Sequence, residues 1–391
     1  MPWQETCVMD ERMKFLARYL QGDGSLASLC REFSISRKTG YKMINRYLDE
    51  GLLGLIDRSR APHHQANAVT DEVIRAIISL RQKHPHWGPR KLRAWLEREW
   101  PRTRWPSAST IGRILVRQGM VVPRSRSRRS PAYTEPFRSC DRPNAVWCAD
   151  FKGWFRTADG SRCEPLTVTD AYSRYLLRCQ SLPQITYVNV RTVFEHLFRQ
   201  YGLPAAIRTD NGTPFATTAV GGLSRLSVWW IKLGISPERI DPGHPEQNGR
   251  HERFHRTLKE ETATPPKGSL SEQQAVFEYF RQQYNKDRPH EALDNKTPAA
   301  LYRSSSRPYP SRIPEIAYPD QMIVRKVRPC GSIRWQGREL FITGVLTGEP
   351  VAFERIDDRS FQVYYGPIKL AVYDEKRAKL LRPTAARRKR R

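Results

Sequence analysis

The chain has 391 residues, with 67 Lys and Arg against 40 Asp and Glu and a formal net charge of +27. A chain this basic calls for a polyanionic partner, nucleic acid being the commonest, and 39% hydrophobic residues are enough to bury real cores, which excludes a wholly disordered basic protein. No apolar run of about 18 residues occurs and the start, Met1-Pro2-Trp3-Gln4-Glu5, lacks the pattern of a signal peptide, so neither a membrane nor a secreted protein is expected.

Residues 10–50 show helical periodicity in three pieces, with stripes at Phe15, Leu16, Tyr19 and Leu20, at Leu26, Leu29, Cys30 and Phe33, and at Tyr41, Ile44, Tyr47 and Leu48. Phe33-Ser34-Ile35-Ser36 is a tight turn whose last Ser can cap the helix carrying Arg37, Lys38, Tyr41 and Lys42. This resembles a helix-turn-helix, in which the second helix enters the major groove. The plainer alternative is a helical bundle with a solvated basic face. A second helical block follows, with helices expected over 71–83, 90–99 and 109–118, the first started by Thr70-Asp71-Glu72 and the third stopped by Gly119. It looks like a second, weaker DNA-reading unit, since Gly112 lowers helix propensity. Its expected DNA contacts are Arg90, Lys91, Ser109, Thr110 and Arg113.

Residues 123–142 turn to Pro, Arg and Ser and read as an extended linker, with Arg124, Arg126, Arg128 and Arg129 able to track a phosphate backbone. The next block reads as α/β. Strands are expected over 145–151, 154–156, 163–169, 175–179 and 206–210, and helices over 188–200, 223–233 and 249–261, giving a mixed sheet covered by helices. After Pro298, short strands at 322–327, 332–335, 339–341, 350–355 and 360–365 suggest a small β-barrel. The stretch 376–391 contains no acid and reads as a disordered, phosphate-seeking tail. Seven scattered cysteines (Cys7, Cys30, Cys140, Cys148, Cys163, Cys179, Cys330) with no Cys-x-x-Cys pair fit neither a disulfide framework nor a zinc knuckle. They read as thiols in a reducing compartment, with a single interdomain bridge left open.

Three acids stand out. Asp150 ends the apolar run 145–149, Asp210 ends 206–209 just before Asn211-Gly212, and Glu252 lies on the helix that follows Pro242-Gly243-His244-Pro245-Glu246-Gln247-Asn248-Gly249. Singly, Asp-Asn-Gly is an ordinary turn and a Glu on a basic helix an ordinary ion-pair partner. Together they suit hard divalent cations, which take clustered carboxylate oxygens; two such ions about 3.5–4 Å apart clamp both oxygens of an in-line phosphoryl displacement.

Trp147-Cys148-Ala149-Asp150, Thr209-Asp210-Asn211-Gly212-Thr213-Pro214-Phe215 and His244 through His255 resemble the three motifs of DDE transposases with a retroviral-integrase-like, ribonuclease H-like core. Tyr284 through Leu293, followed by Thr297-Pro298, is similar to the same stretch of bacterial insertion-sequence transposases. The resemblance implies Asp150, Asp210 and Glu252 as catalytic and metal-holding residues, two Mg²⁺ or Mn²⁺ ions, and DNA contacts at Asn248, His255, Arg256 and Lys259. Many relatives space the second Asp and the Glu by 35 residues, which would select Glu246. The motif instead places the glutamate three residues after Asn-Gly, at Glu252, with Arg256 and Lys259 on the same helical face. The longer spacing implies about six extra residues within 219–234.

Asp170 reads as a structural carboxylate that orders a turn or pairs with Arg174. Without a His-His-Cys-Cys module before the core, the bacterial branch is favoured over retroviral integrases, and with it a cytoplasmic, nucleoid-associated location. The expected domains are helix-turn-helix units at 1–60 and 61–122, a linker at 123–142, the core at 143–302, a barrel at 303–375 and the tail. The implied function is a transposase that cuts element ends and joins the freed 3′-hydroxyl to double-stranded target DNA as a dimer or tetramer. A catalytically silent DNA-binding relative and a plain ribonuclease H-like nuclease are the competing classes.

Overall fold

The computed structural model describes residues 7–59, 68–121, 140–217, 219–240 and 249–381. The expected contacts at Arg124, Arg126, Arg128, Arg129 and Asn248, together with His244, Glu246 and residues 382–391, lie outside the described residues.

The chain divides into two compact units, Met1–Val69 and Thr70–Arg391. The first contains α1 (Val8–Gln21), α2 (Leu26–Glu32) and α3 (Arg37–Glu50). Ser25 and Ser36 cap α2 and α3 as donors' acceptors: each Oγ accepts the backbone N–H three residues on. The core is Phe15, Leu16, Leu29, Cys30, Met43, Ile44 and Leu55. It differs from the expected stripes in one useful way. Met43 and Ile44 face inward, so Tyr41 and Leu48 are 57% and 70% exposed, and Tyr41 joins Arg37, Lys38 and Lys42 on the outer face of α3. Gly40 lets α3 lie against α2, because a Cβ there would stand 2.6 Å from Cys30 Sγ.

The second unit opens with α4 (Asp71–Lys83), α5 (Pro89–Glu99) and α6 (Ala108–Arg117), closed over Ile77, Leu80, Leu92, Leu96, Ile111 and Leu115. A six-stranded mixed sheet follows, made of β1 (Val146–Phe151), β2 (Phe155–Arg156), β3 (Arg162–Asp170), β4 (Leu176–Leu182), β5 (Ala206–Thr209) and β6 (Ser236–Arg239). β1, β3 and β4 are antiparallel neighbours, whereas β5 pairs with β1 and β6 in parallel. Helices α7 (Tyr187–Tyr201) and α8 (Arg225–Lys232) cover one face through Phe194, Phe198, Trp229 and Trp230 against Trp147, Leu166 and Val168. On the other face lie α9 (Gly249–Thr262) and α10 (Leu270–Lys286), which bring Phe254, Leu258, Phe277 and Phe280 onto Cys163, Leu176 and Cys179.

The core is tied shut where its two ends meet. Asn144 Oδ1 accepts from Trp147 Nε1 and from the Tyr302 hydroxyl, both at 2.9 Å, just after the short α11 (Pro298–Leu301). Asn285 explains part of the Tyr284–Leu293 stretch. Its side chain receives Leu176 N–H at 2.8 Å and donates to Leu176 O at 2.9 Å, docking α10 on β4.

The C-terminal strands do not close into the expected barrel. β7 (Ile323–Lys326), β10 (Pro350–Asp357), β11 (Ser360–Tyr365), β12 (Ile368–Asp374) and β13 (Lys379–Leu381) form an open five-stranded antiparallel sheet, ordered β13-β12-β11-β10-β7. A separate hairpin of β8 (Ser332–Trp335) and β9 (Arg338–Phe341) packs its Ile333, Trp335 and Leu340 on that sheet. β13 also falls within the stretch expected to be a structureless tail. The module shares its core with Leu223, Val228 and Ile231 of the mixed-sheet domain, and Arg239 holds the intervening Gly221 and Gly222 carbonyls at 2.7 and 3.1 Å. Cys30, Cys163 and Cys179 are buried free thiols.

Candidate active site

Strand alternation decides which side chains of β1 share a face. Trp147 and Ala149 enter the packed core under α7 and α8, so Cys148 and Asp150 face the α9 side. The parallel register pairs Val146 with Ala206 and Cys148 with Arg208. Asp150 lies near the carboxyl end of β1 and Asp210 directly follows β5, so both come from the carboxyl ends of neighbouring parallel strands, the position where open α/β sheets leave a crevice.

The Asp210 loop is held on both sides. Asn211 Nδ2 donates to Ile240 O at 2.8 Å, and Phe215 is buried, with ring centroids 5.4 Å from Phe151 and 6.3 Å from Trp230. Gly212 gives the carboxylate its room: a Cβ there would lie 2.9 Å from Asp210 Oδ2. Asp210 Oδ1 is buried and has no hydrogen-bond partner among the described residues. An anionic oxygen buried in this way is costly unless a cation or a donor meets it.

Asp150 lies under α9, its side chain 13% exposed, with Oδ2 3.9 Å from His255 Nδ1. Directly opposite on β3, Thr167 donates its hydroxyl to Asp150 O at 3.0 Å and contacts His255 Nε2 at 2.8 Å. The tautomer of His255 sets which of the two groups donates in that second contact. His255 is neutral: burial, helped by His251 and Lys152, pushes its pKa down to about 3. His251 is likewise driven down to about 4 by burial and Arg174, and its Nε2 has no partner among the described residues. His255 is therefore placed beneath the surface beside Asp150, not open to DNA.

Glu252 is exposed on α9, one turn before His255. Among the described residues no group of three or more His, Cys, Asp or Glu stands close enough to hold a metal ion, so Asp150, Asp210 and Glu252 are not gathered into one cluster. Arg256 and Lys259 are exposed on the same helix. Asp170 is held by the turn that follows β3. Fully buried, it accepts Asn144 N–H and Ser173 N–H at 2.8 Å and the Ser173 hydroxyl at 2.6 Å, which makes it the structural carboxylate of its turn.

The helical positions separate into two groups. Arg37, Lys38, Tyr41 and Lys42 are all exposed on α3, and Ser109 and Arg113 are exposed at the start of α6, with Thr110 partly covered. Arg90 and Lys91 instead meet acids of the core. Arg90 reaches Glu291 at 3.4 Å, and Arg98 of the same helix donates to Asp287 O at 3.3 Å. Burial, with Arg288 adding to it, lowers Lys91 to about 8. Sequence reasoning missed α10 and β6. The Phe277, Phe280 and Tyr284 spacing could have revealed the first; β6, with Ser236-Pro237-Glu238-Arg239, has no strand signal of its own.

Comparison with known proteins falls on these regions. Integrase core domain families match residues 141–245 and 233–298, a helix-turn-helix domain family matches 11–63, and a homeodomain-like domain family matches 39–115. The 31.7 kDa protein of insertion element IS407 from Burkholderia multivorans is 29% identical over 242 residues, covering 60% of this chain and 84% of that protein. The 39.2 kDa protein of insertion element IS476 from Xanthomonas euvesicatoria is 28% identical over 233 residues, covering 58% and 64% respectively. Among solved structures, a chain of the simian T-cell lymphotropic virus intasome is 16% identical with a TM-score of 0.38, covering 74% of this chain and 92% of that one.

Proposed function

Because the chain belongs to the insertion-sequence transposases with an integrase-like core, we propose that it cuts the ends of an insertion element and joins the freed 3′-hydroxyl to target DNA by direct phosphoryl transfer. The observation that carries this reading is Asp210, whose Oδ1 is buried with no partner among the described residues, directly after the strand that pairs in parallel with the strand of Asp150. The hard carboxylate oxygens of these two residues suit Mg²⁺ or Mn²⁺. Asp150 and Asp210 would hold the ions and Glu252 would complete their ligands from α9. Bound there, two ions would lower the pKa of the attacking oxygen and neutralise the leaving one.

The chain's own residues do the rest. His255, kept neutral and fixed by Thr167, orients the Asp150 side of the site without adding a positive charge that would compete for the cation. Arg256 and Lys259, exposed further along α9, would bind phosphates of the DNA end held there. The nearly balanced core, with 20 basic and 17 acidic residues over 143–300, leaves most DNA-seeking charge to the flanking segments. In that division, α3 with Arg37, Lys38, Tyr41 and Lys42 reads the element end, Ser109, Thr110 and Arg113 extend the contact, and Arg124, Arg126, Arg128, Arg129 and Asn248 add phosphate contacts. Two ends joined in one event need at least two protomers, so a dimer or tetramer assembled on DNA is expected.

The test is joining of a terminal oligonucleotide to a supercoiled plasmid in Mg²⁺ and in EDTA. The reading predicts metal-dependent products from the wild-type chain and none from Asp150→Asn. Tight end binding with no joining under either condition would identify a silent DNA-binding relative instead.

A further inference from the structure

Beyond Asp150, β1 runs out through Lys152 and Gly153 to Trp154, and this exit forms the wall of a second site. A cavity of about 90 Å³ lies between it and α9, floored by Phe155, Leu258 and Phe277. Lys152 and Lys259 bring the only charges on its lining. No ion pair occupies either ammonium among the described residues, although an acid, Glu260, is next in sequence to Lys259. Two uncompensated cations at the mouth of a small cavity attract an anion.

Size decides what enters. A cavity of this size takes a phosphate-sized group between the two ammoniums. The base has somewhere else to go. Trp154, at the rim, is 55% exposed and is flanked by the Arg162 and Arg156 guanidiniums, 4.9 and 5.9 Å from its ring centroid. An exposed indole among cations is the usual platform for a stacked base. Inside a duplex both faces of a base are taken by its neighbours, so the ring that stacks here belongs to an unpaired nucleotide. The site adjoins the carboxylates: Lys152 is two residues from Asp150 and close enough to His255 to help lower its pKa.

We infer that Lys152, Lys259 and Trp154 form a pocket for a single unpaired nucleotide at a DNA end, its phosphate between the two lysines and its base on the indole. This rests on the reading of the chain as a DNA-joining enzyme and deepens it by assigning a site for the strand displaced from the reacting end.

The experiment measures binding in EDTA, where no chemistry occurs, so its outcome is separable from that of the joining assay. Fluorescence anisotropy compares a blunt 20-base-pair duplex with the same duplex carrying a three-nucleotide 3′ or 5′ overhang, for the full chain and for Trp154→Ala, Trp154→Phe and Lys152→Ala. Trp154→Ala and Lys152→Ala should each weaken overhang binding about tenfold and leave blunt binding within about twofold, with Trp154→Phe near wild type. Lys152→Ala should also reduce the salt slope by about one. Equal losses on both duplexes, no loss on either, or a Trp154→Phe defect as large as that of Trp154→Ala would overturn the pocket. Trp154 is exposed enough that its substitution leaves the fold intact, and Asp150→Asn, which keeps the pocket, should bind the overhang normally.

Discussion

The two faces of β1 are built from alternate residues of one strand and do different work. Trp147 and Ala149 disappear under α7 and α8 into a core with Phe194, Phe198, Trp229 and Trp230. Cys148 and Asp150 turn to the α9 side, where the companions are Thr167, the Arg208–Glu238 ion pair at 2.9 Å, two neutral histidines and Asp210 with an unpartnered oxygen. The first face stabilises by burial, on the order of 1.5–3 kcal/mol for each large apolar side chain. The second gathers groups whose burial costs free energy. A fold keeps such a face only because the opposite one holds the sheet in place, so substitutions on the two sides should separate activity from stability.

The largest effect is expected from Asp150→Asn and Asp210→Asn. Each should lower joining by about a thousandfold or more, equivalent to about 4 kcal/mol in the barrier, while the melting temperature stays the same or rises. Loss of folding in both would show that these carboxylates are structural and erase the contrast. Phe198→Ala, on the packed face, should do the reverse: a loss of about 3–5 kcal/mol in denaturant unfolding, with joining per folded molecule unchanged. Asp170 tests the comparison more sharply, because it is a carboxylate paired across the strands with Trp147 and so lies on the packed side. Removing it in Asp170→Ala strands three buried donors, from Asn144 and Ser173, and should cost about 3 kcal/mol without changing the metal dependence of joining.

The smallest effect concerns Lys91, which α5 presses toward Arg288. Its pKa is lowered from 10.5 to about 8, so between those values the unfolded chain holds more of the proton and stability rises with pH. Below about pH 8 the burial penalty is present in full. Lys91→Met should raise the melting temperature slightly at pH 7 and flatten the rise measured from pH 8 to 10 relative to wild type.

Much of this was legible in the residues. The caps at Ser25 and Ser36, the bounds of α4 and of β8 and β11, and the placement of Asp150 and Asp210 at strand ends follow from local pattern, because each depends on a few neighbouring residues. What the pattern could not supply was the partner. Of the stripe Tyr41, Ile44, Tyr47 and Leu48, Ile44 and Tyr47 reach the core while Met43 takes the inward place expected of Tyr41 and Leu48, a choice that only packing makes. β6 forms because β5 offers a parallel edge, not because Ser236-Pro237-Glu238-Arg239 favours a strand. The barrel failed to close for a related reason: strand existence is local, whereas the pairing of β7 or β13 with another edge is not. The role of His255 was hidden in the same way, since its proximity to Asp150 depends on Thr167 across the sheet.

The account rests on α9 supplying the third carboxylate to the face that carries Asp150 and Asp210. The direct measurement is strand joining by Glu252→Gln and Glu246→Gln side by side in Mg²⁺, with end binding checked for both. Loss of joining in Glu252→Gln and its retention in Glu246→Gln is the predicted result. Joining that survives in Glu252→Gln and vanishes in Glu246→Gln would contradict it, and would move the third ligand off α9 into the preceding loop.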